Sequence, residues 1–371
     1  MQKVEVFQET SSDSLSLRVY EIGKKIGPTV YIQSSLHGAE LQGTAVIHEL
    51  ILRLKSIEVS GTIRLAPAAN PRSINQLSGP FTQGRFSPVT GDNWNRIFWD
   101  LANPAQKNNG GLDLKSFVSN HLNSDFLCIQ KAYKNLIKEI LKNKLCSEYG
   151  VSESKALAYT LQGLAADADY VLDLHTGSKA VRYLYVPIHC RESAKAFFMP
   201  CNLLVPLEFG NAFDEASFMP WVHLTNTFKE AGRNIPLQFE SYTVELGSEE
   251  TISLHDAKVD AERILNWLGS KGIIKYETPY SFPTPMACHL KDYKSYFAPS
   301  GGLMDFCVEP GDTINKGQIL GNLLKLDKIG TDSAIVPIQS NAYGILVSRA
   351  SSSNCHSGSE VFLVMENPEP L

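Results

Sequence analysis

The sequence lacks the features that mark membrane proteins and nucleic-acid-binding proteins. No segment approaches the run of about 18 apolar residues that a membrane-spanning helix needs, and the first ten residues lack the apolar stretch of a signal peptide. The net charge of -5 includes no cluster of Lys and Arg interleaved with aromatic residues, which excludes the usual electrostatic footprint of nucleic-acid binding. We therefore expect a cytoplasmic protein with neither membrane nor nucleic acid as a partner.

The sequence also lacks a disulfide framework. Its seven cysteines are odd in number, widely spaced and free of any Cys-x-x-Cys pair, so they are expected to be reduced thiols and not a cysteine zinc site. What is present is ample apolar content, 43% of 371 residues, which is enough for a substantial core and for two or three domains.

The most informative feature is an apolar run, residues 29–36, that ends in His37 and Glu40 just where an amphipathic helix begins. A second apolar run, residues 170–174, ends in His175. Two histidines and one glutamate are a typical ligand set of a catalytic zinc, and they leave a fourth position for water. The pattern predicts a hydrolytic metal site.

The spacing of His37 and Glu40 is not sufficient by itself. Nine histidines give about one His-x-x-Glu pair by chance, and the second such pair in this chain is His189 with Glu192. Gly38 and the alanine after it suit a tight strand-to-helix turn better than the bulkier residues after His189 do. On this context alone, an ordinary histidine at a strand end remains the alternative for His37.

The first 284 residues alternate strand-like and helix-like segments, which predicts an α/β fold with helices on a sheet. A helix over about residues 40–55 would place Val46, Leu50 and Leu54 on one face and leave His48 solvated or at the core edge. The predicted strands span residues 14–21, 29–35, 60–66, 169–174, 182–187 and 236–246.

Residues 97–165 interrupt this alternation. An Asn/Gly-rich loop at 108–111 is followed by two helical patterns, 126–144 and 152–166, which indicates a helical insertion. The insertion lies between two segments that would line the same site, so it either covers that site or simply packs against the core.

A second, smaller domain of short strands is predicted from residue 285 to 371. Its turns at 310–312 and 315–317 give it a likeness to the β-barrels of lipoyl and biotinyl carrier proteins. The loop lengths around Lys328 and the lack of a Met-Lys-Met sequence argue against a modified carrier lysine. We expect a structural or site-capping appendage.

Four segments together carry a family resemblance. They are His37 to Glu40, Asn70 to Phe98, Asp173 to His175 and Thr243 to Gly247. In this order the chain resembles the succinylglutamate desuccinylase/aspartoacylase family of zinc carboxypeptidase-like hydrolases. The resemblance implies a mixed-sheet catalytic domain with helices on both faces over residues 1–284, followed by the β-rich domain.

The resemblance also implies roles for individual residues. His37, Glu40 and His175 match the ligands of one zinc ion per chain, and Glu245 matches the catalytic glutamate. Glu245 lies in an apolar strand end, where a carboxylate is costly to bury without a partner. Beside a metal-bound water it would serve as a general base, whereas a solvent-facing strand residue is the alternative.

Asn95 and Arg96 match the pair that holds a substrate carboxylate, for which a guanidinium fork is well suited. Arg85 best matches the arginine that stabilises the oxyanion, although the stretch from Arg85 to Asn95 is longer than the family's and Arg72 remains a substitute. The family commonly has Asp where this chain has Asn93, with the acid at residue 92 instead.

Asp173 lies two residues before His175, so along a strand its side chain shares the histidine's face. It either accepts the ring N–H of a metal-bound histidine or bonds local backbone.

These expectations combine into zinc-dependent hydrolysis of an amide bond in a small carboxylate-bearing molecule such as an N-acyl amino acid. A zinc carboxypeptidase acting on peptides needs the same ligands, base and carboxylate clamp, so the motifs do not separate the two reactions. A non-catalytic ligand-binding protein is the third reading, and the retention of all three ligands and the glutamate weighs against it. The sequence does not decide whether the chain forms a homo-oligomer.

Overall fold

The computed structural model covers all 371 residues and contains 21 strands and eight α-helices. The strands are β1 Gln2–Gln8, β2 Ser14–Gly23, β3 Thr29–Ser34, β4 Thr62–Ala66, β5 Leu77–Ser78, β6 Phe81–Thr82, β7 Tyr170–Gly177, β8 Lys179–Ala180, β9 Arg182–Pro187, β10 Cys201–Val205, β11 Glu240–Ser248, β12 Met286–His289, β13 Tyr293–Phe297, β14 Gly302–Phe306, β15 Thr313–Ile314, β16 Ile319–Leu324, β17 Ile335–Gln339, β18 Gly344–Arg349, β19 Asn354–Cys355, β20 Glu360–Glu366 and β21 Glu369–Pro370. The helices are α1 Gln42–Leu54, α2 Pro71–Ile74, α3 Leu114–His121, α4 Phe126–Leu145, α5 Glu153–Ala165, α6 Arg191–Ala194, α7 Phe213–Glu230 and α8 Leu254–Ser270.

The chain folds into two compact units. The first unit comprises residues 1–175, 207–243 and 252–277, and the second comprises residues 176–206, 244–251 and 278–371. No helix in either unit is both long enough and apolar enough to span a bilayer.

A mixed sheet forms the centre of the first unit. Its strands lie in the order β1, β2, β4, β3, β7, β11. Of β11, only residues 240–243 belong to this unit. β3 runs parallel to both β4 and β7, whereas β2 pairs antiparallel with β1 and β4. The six predicted strands are all present, and the predicted mixed α/β class is confirmed.

Burial explains why these segments adopt their structures. Residues 30–34 of β3 are all buried, as expected for a central parallel strand that is covered on both faces. In α1 the predicted face of Val46, Leu50 and Leu54 is buried, and His48 is exposed. The 3.6-residue period of the apolar positions therefore identified the buried face of α1 correctly.

The insertion at 97–165 is helical and contributes to the core. Phe117 of α3, Tyr133 of α4 and Leu157 of α5 belong to the same apolar cluster as Leu17 and Tyr31 of the sheet. This arrangement favours packing as the role of the insertion. Helix α3 was not predicted, because its apolar pattern is only eight residues long.

The second unit contains two kinds of sheet. In one, β10 pairs parallel with β9 and β12, and residues 244–248 of β11 lie beside β9. The C-terminal region forms two separate antiparallel sheets, in the orders β13-β20-β18-β15 and β17-β16-β14-β19, around an apolar core of its own. The predicted all-β character of this region is confirmed. Lys328 lies exposed in a 3-10 turn, Leu326–Lys328.

Candidate functional site

The turn after β3 positions the first two candidate ligands. Ser35 has a left-handed backbone with φ 58°, which is uncommon for a residue other than glycine and turns the chain sharply at the strand end. Its hydroxyl group donates to the carbonyl oxygen of Glu40 at 3.1 Å and lies 2.9 Å from the Thr44 hydroxyl. The closed turn brings His37 Nδ1 to 2.8 Å from Glu40 Oε1.

Gly38 is required in this turn by a close approach of three segments. A Cβ atom on Gly38 would lie 2.1 Å from the carbonyl oxygen of Ser73, and one on Gly84 would lie 2.0 Å from the same atom. The Gly38 N–H also donates to the Gly84 carbonyl oxygen at 2.9 Å. The sequence argument for a small residue was therefore sound, but the reason is contact with other segments more than the tightness of the turn.

β7 supplies the third candidate ligand because it runs parallel to β3, with Ser34 opposite Leu174. His175 Nδ1 lies 2.5 Å from Glu40 Oε2, so Glu40 contacts one histidine with each carboxylate oxygen. The candidate ligand atoms of His37, Glu40 and His175 all lie within 4.8 Å of one another, and the three side chains are buried. The structure thus brings together the three residues that the sequence pattern selected.

Hydrogen bonds fix both imidazole rings from behind. Asn93 Oδ1 accepts the backbone N–H of Asn95 at 2.9 Å, which identifies that atom as the oxygen, and it lies 2.8 Å from His37 Nε2. His175 Nε2 lies 2.8 Å from Asp173 Oδ2. Both Nε2 atoms face acceptors, so each carries its hydrogen and donates it.

This arrangement passes a chemical test for a metal ion. With hydrogen on Nε2, a neutral imidazole presents a lone pair on Nδ1, and in both histidines that lone pair points at the Glu40 carboxylate. Two acceptor atoms at these distances repel each other unless a cation, either a proton or a metal ion, lies between them. Two imidazole nitrogens and a carboxylate suit zinc. Its two positive charges would balance the two negative charges of Glu40 and Asp173.

The pKa values of these groups reflect the same demand for positive charge. Burial disfavours the charged form of Glu40, yet the charges and hydrogen bonds of His37 and His175 hold its pKa well below the usual range. For His175, burial lowers the pKa, but Asp173 and Glu40 outweigh burial and raise it well above its ordinary value. The site therefore favours a bound cation in spite of its burial.

A hydrogen-bond chain extends from Asp173 into the core. Gln33 Nε2 donates to Asp173 Oδ1 at 3.0 Å, and the Tyr31 hydroxyl group donates to Gln33 Oε1 at 3.1 Å. Asp173 therefore acts on His175 from a fixed position, which distinguishes it from an acid that merely bonds local backbone. Gln33 and Tyr31 were not predicted as site residues, although a glutamine inside an otherwise apolar strand is a signal that could have found them.

A second acid, Asp214 in the first turn of α7, was also missed. Burial, assisted by the charges of Glu215 and Asp173, raises the pKa of Asp214 to about 7, and a hydrogen bond from Thr243 opposes the rise. Near neutral pH this carboxyl group is therefore partly protonated. It therefore adds less negative charge near Asp173 than a fully ionised aspartate would.

Arg85 reaches the candidate ligands directly. Its Nη1 donates to Glu40 Oε1 at 3.1 Å, while 54% of the side chain remains exposed. The long stretch from Arg85 to Asn95 does not separate them, because a bridge between Phe86 and Asn93 closes it into a protruding turn. The unusual spacing noted in the sequence is thus absorbed by an exposed loop.

Arg72 has different partners. Its guanidinium group pairs with Glu153 and with Glu9, each at 2.6 Å. These two carboxylates already occupy guanidinium N–H groups of Arg72 that a substrate carbonyl would need. Of the two arginines, Arg85 is the one that contacts a candidate ligand.

Asn95 and Arg96 lie close to the candidate ligands, but in different ways. Asn95 is buried, with Nδ2 3.5 Å from His175 Nε2 and Oδ1 accepting the Phe213 N–H at 2.9 Å. Arg96 is exposed, and its Nη1 donates to the Asn95 carbonyl oxygen at 2.6 Å. Asn95 is therefore held as part of the site's framework, and Arg96 presents a guanidinium group to solvent.

Glu245 lies on the part of β11 that belongs to the second unit. Only 8% of the residue is exposed, so the sequence argument that it is a buried carboxylate holds. Its service as a general base stays a prediction.

The chain is similar in sequence and structure to known proteins. The sequence model of the succinylglutamate desuccinylase/aspartoacylase catalytic domain matches residues 26–270. A crystal structure of a family protein from Shewanella amazonensis SB2B shares 38% identity and superposes with a TM-score of 0.93, covering 100% of this chain and 99% of its own. A second, from Shewanella frigidimarina NCIMB 400, shares 37% identity with a TM-score of 0.93, covering 100% of this chain and 97% of its own.

Among characterised proteins, the N-alpha-acetyl-L-2,4-diaminobutyric acid deacetylase of Halomonas elongata is 21% identical over 379 aligned positions, which cover 98% of this chain and 89% of that protein. The fold and the buried His-Glu-His cluster define the class, that of deacylating hydrolases with a candidate metal site. The chain belongs to the succinylglutamate desuccinylase/aspartoacylase family.

Proposed function

We propose that this protein is a zinc-dependent amidohydrolase that removes the acyl group from a small N-acyl amino acid or a related carboxylate-bearing molecule. One observation carries the proposal: the Nδ1 lone pairs of His37 and His175 both point at the Glu40 carboxylate. The Nε2 atoms of the two rings are hydrogen-bonded to Asn93 and Asp173. The deacetylase from Halomonas elongata acts on an N-acetylated amino acid, which supports the same substrate class for this chain.

His37, Glu40 and His175 would hold the zinc ion. When bound, zinc supplies Lewis acidity, which lowers the pKa of water from about 16 to about 7 and polarises an acyl carbonyl group. Asp173 and Asn93 keep the ligand tautomers correct by accepting the two Nε2 hydrogens.

The remaining steps belong to residues of the chain. Glu245 takes a proton from the attacking water and later delivers it to the nitrogen of the leaving amine, so the base is regenerated in each turnover. Arg85 donates to the carbonyl oxygen as negative charge develops on it. Arg96, with its exposed guanidinium group, binds the substrate carboxylate through paired hydrogen bonds.

Zinc content and hydrolysis of a substrate panel test the proposal. The purified protein should contain about one zinc per chain, and it should hydrolyse some N-acetyl or N-succinyl amino acids faster than dipeptides. Faster cleavage of dipeptides would instead establish a carboxypeptidase. A protein that binds no zinc and stays inactive after zinc is added back would refute the hydrolase assignment.

Glu245→Gln isolates the base from the metal site. We expect the variant to keep its zinc and to lose activity by about 10²- to 10⁴-fold, the usual contribution of general acid-base catalysis. Glu230→Gln, a change at an exposed position of α7, is the matched control and should leave both quantities unchanged. Full activity in Glu245→Gln would remove Glu245 from the mechanism.

A further inference from the structure

A row of polar side chains crosses from β3 to β7 in the middle of the sheet. Gln33 lies directly opposite Asp173 in the register of these two parallel strands. Tyr31 lies two residues before Gln33, so both side chains are on one face of β3. His175 stands in the same relation to Asp173 on β7. The four side chains form a polar row that leads from the core to a candidate ligand.

The hydrogen bonds of the polar row have defined directions. An ionised carboxylate can only accept, so the Gln33 amide group must turn its Nε2 to Asp173 Oδ1, at 3.0 Å. Gln33 Oε1 then faces the other way and accepts the hydrogen of the Tyr31 hydroxyl group at 3.1 Å. The second oxygen of Asp173, Oδ2, remains for His175 Nε2 at 2.8 Å. Asp173 is thus held by one donor on each of its oxygens.

Burial makes these donors hard to replace. Tyr31, Gln33 and Asp173 are each 0% exposed, so bulk water does not reach an oxygen that has lost its partner. Burial also raises the pKa of the Tyr31 hydroxyl group well above its ordinary value, so this group stays a donor throughout the pH range in which proteins are folded.

The far end of the polar row is fixed by α7. The rings of Tyr31 and Phe213 meet edge to face with centroids 6.1 Å apart, and Phe213 is the first residue of α7. The Phe213 N–H donates to Asn95 Oδ1 at 2.9 Å. The terminal torsion of an aspartate has only a broad preference of its own, so the partners of Asp173 set its orientation.

We propose that Gln33 and Tyr31 are positioning residues for the metal site. They hold the Asp173 carboxylate in the orientation in which it accepts the Nε2 hydrogen of His175, and so keep His175 Nδ1 directed at the ion. The inference rests on the proposed function, because it presupposes that the site binds zinc. Gln33 and Tyr31 touch neither metal nor substrate in this role, and they act through Asp173.

Gln33→Met keeps the length of the side chain and removes both polar atoms of the amide group. We expect the affinity for Zn²⁺, measured by competition with a chelator, to fall by about 10-fold, the lower end of what outer partners of a metal ligand contribute. Tyr31→Phe leaves the bond from Gln33 to Asp173 in place and should lower the affinity by about threefold. An affinity in Gln33→Met equal to that of a zinc-binding wild type would overturn the inference.

Gln162→Met and Tyr133→Phe are the matched controls. Gln162 is 4% exposed, and its amide group accepts from the Trp99 N–H at 3.2 Å and donates to the Trp99 carbonyl oxygen at 2.8 Å. Tyr133 is buried, and its hydroxyl group donates to the Pro220 carbonyl oxygen at 2.7 Å. Both variants should be less stable and bind Zn²⁺ as the wild type does. Equal losses of affinity in the controls would show that the measurement reports general destabilisation, against the inference.

A double-mutant cycle shows whether Gln33 acts through Asp173. In an Asp173→Ala background the carboxylate that Gln33 holds is gone, so Gln33→Met should lower the Zn²⁺ affinity no further. The same loss in both backgrounds would mean that Gln33 affects the site by another route, and the positioning role would be refuted.

A measurement on the metal-free protein separates this inference from the proposed function. In protein labelled with ¹⁵N at histidine, the Nε2–H signal of His175 is the one that disappears in His175→Asn. Its exchange with solvent should be about 10-fold faster in Gln33→Met than in the wild type or Gln162→Met, because Asp173 holds this hydrogen less firmly. Equal rates in all three proteins would refute the positioning role and leave the hydrolase intact. Faster exchange in a protein that binds no Zn²⁺ would support the hold on His175 and refute the hydrolase alone.

Discussion

Residues 37–40 and 189–192 have the same His-x-x-Glu spacing and nothing else in common. His37 and Glu40 are buried in a strand-to-helix turn and lie 2.8 Å apart. His189 lies in a 3-10 helix with Nε2 3.3 Å from the Cys190 sulfur, and Glu192 is 82% exposed and paired with Lys195 at 2.7 Å.

The difference lies in the backbone that carries each pair. At the end of β3 the left-handed Ser35 redirects the chain, and the parallel neighbour β7 brings His175 to the same point. The second pair lies on short helical turns at the surface end of β9, where Glu192 is paired with a lysine of its own segment. A ligand motif thus becomes a site only where separate strands deliver further groups to it.

The largest difference between the two segments is expected when one glutamate in each is neutralised. Glu40→Gln removes the charge that both Nδ1 atoms face, so zinc affinity should fall by more than about 100-fold and hydrolysis should be lost with it. Glu192→Gln should change neither quantity. Zinc content after dialysis, measured by mass spectrometry, checks both variants, and one tightly bound zinc in Glu40→Gln would contradict the ligand assignment.

A smaller effect is expected from the groups that hold the two rings from behind. Asp173→Ala or Asn93→Ala should weaken zinc binding by about 10- to 100-fold, because each leaves an Nε2 hydrogen without its acceptor. Asn93→Asp keeps an acceptor and should bind zinc at least as tightly as the wild type. Lys195→Ala, which removes the partner of Glu192, serves as the control. Competition with a chelator measures all four affinities, and equal values throughout would show that the orientation of the rings is unimportant.

The smallest effect is expected at the residue after each histidine. Gly38→Ala places a methyl group against the Ser73 carbonyl oxygen and should lower the free energy of unfolding by about 1–3 kcal/mol, with weaker zinc binding. Cys190→Ala removes one buried sulfur and should cost about 1 kcal/mol without affecting zinc. Urea unfolding of the metal-free proteins tests this, and a Gly38→Ala variant as stable as the wild type would mean that the three segments can move apart.

Much of the fold and of the site followed from the sequence because both depend on local patterns. The buried face of α1 repeats with the helical period, and the buried strands are continuous apolar runs. His37 and Glu40 follow the end of β3, and His175 lies near the end of β7. The ends of parallel strands meet at one edge of a sheet, so the two apolar runs bring these ligands together. A resemblance spread over several segments then selected His37 over His189.

Other parts of the site depend on tertiary contacts that no local pattern records. Gln33 and Asp214 matter because of what lies next to them after folding, and the requirement for Gly38 comes from Ser73, which is 35 residues further along the chain. The sequence likewise does not show that Arg85 contacts Glu40 whereas Arg72 pairs with Glu153.

The register of β3 against β7 also sets the order of events during folding. The hydrogen bond from Gln33 to Asp173 joins residues 140 positions apart, so the pocket for the ion does not exist until the chain has closed a very long loop. Zinc therefore cannot nucleate this fold in the way it nucleates a zinc finger. If zinc is the ion, we expect it to bind the finished structure, to slow unfolding and to leave the rate of folding unchanged.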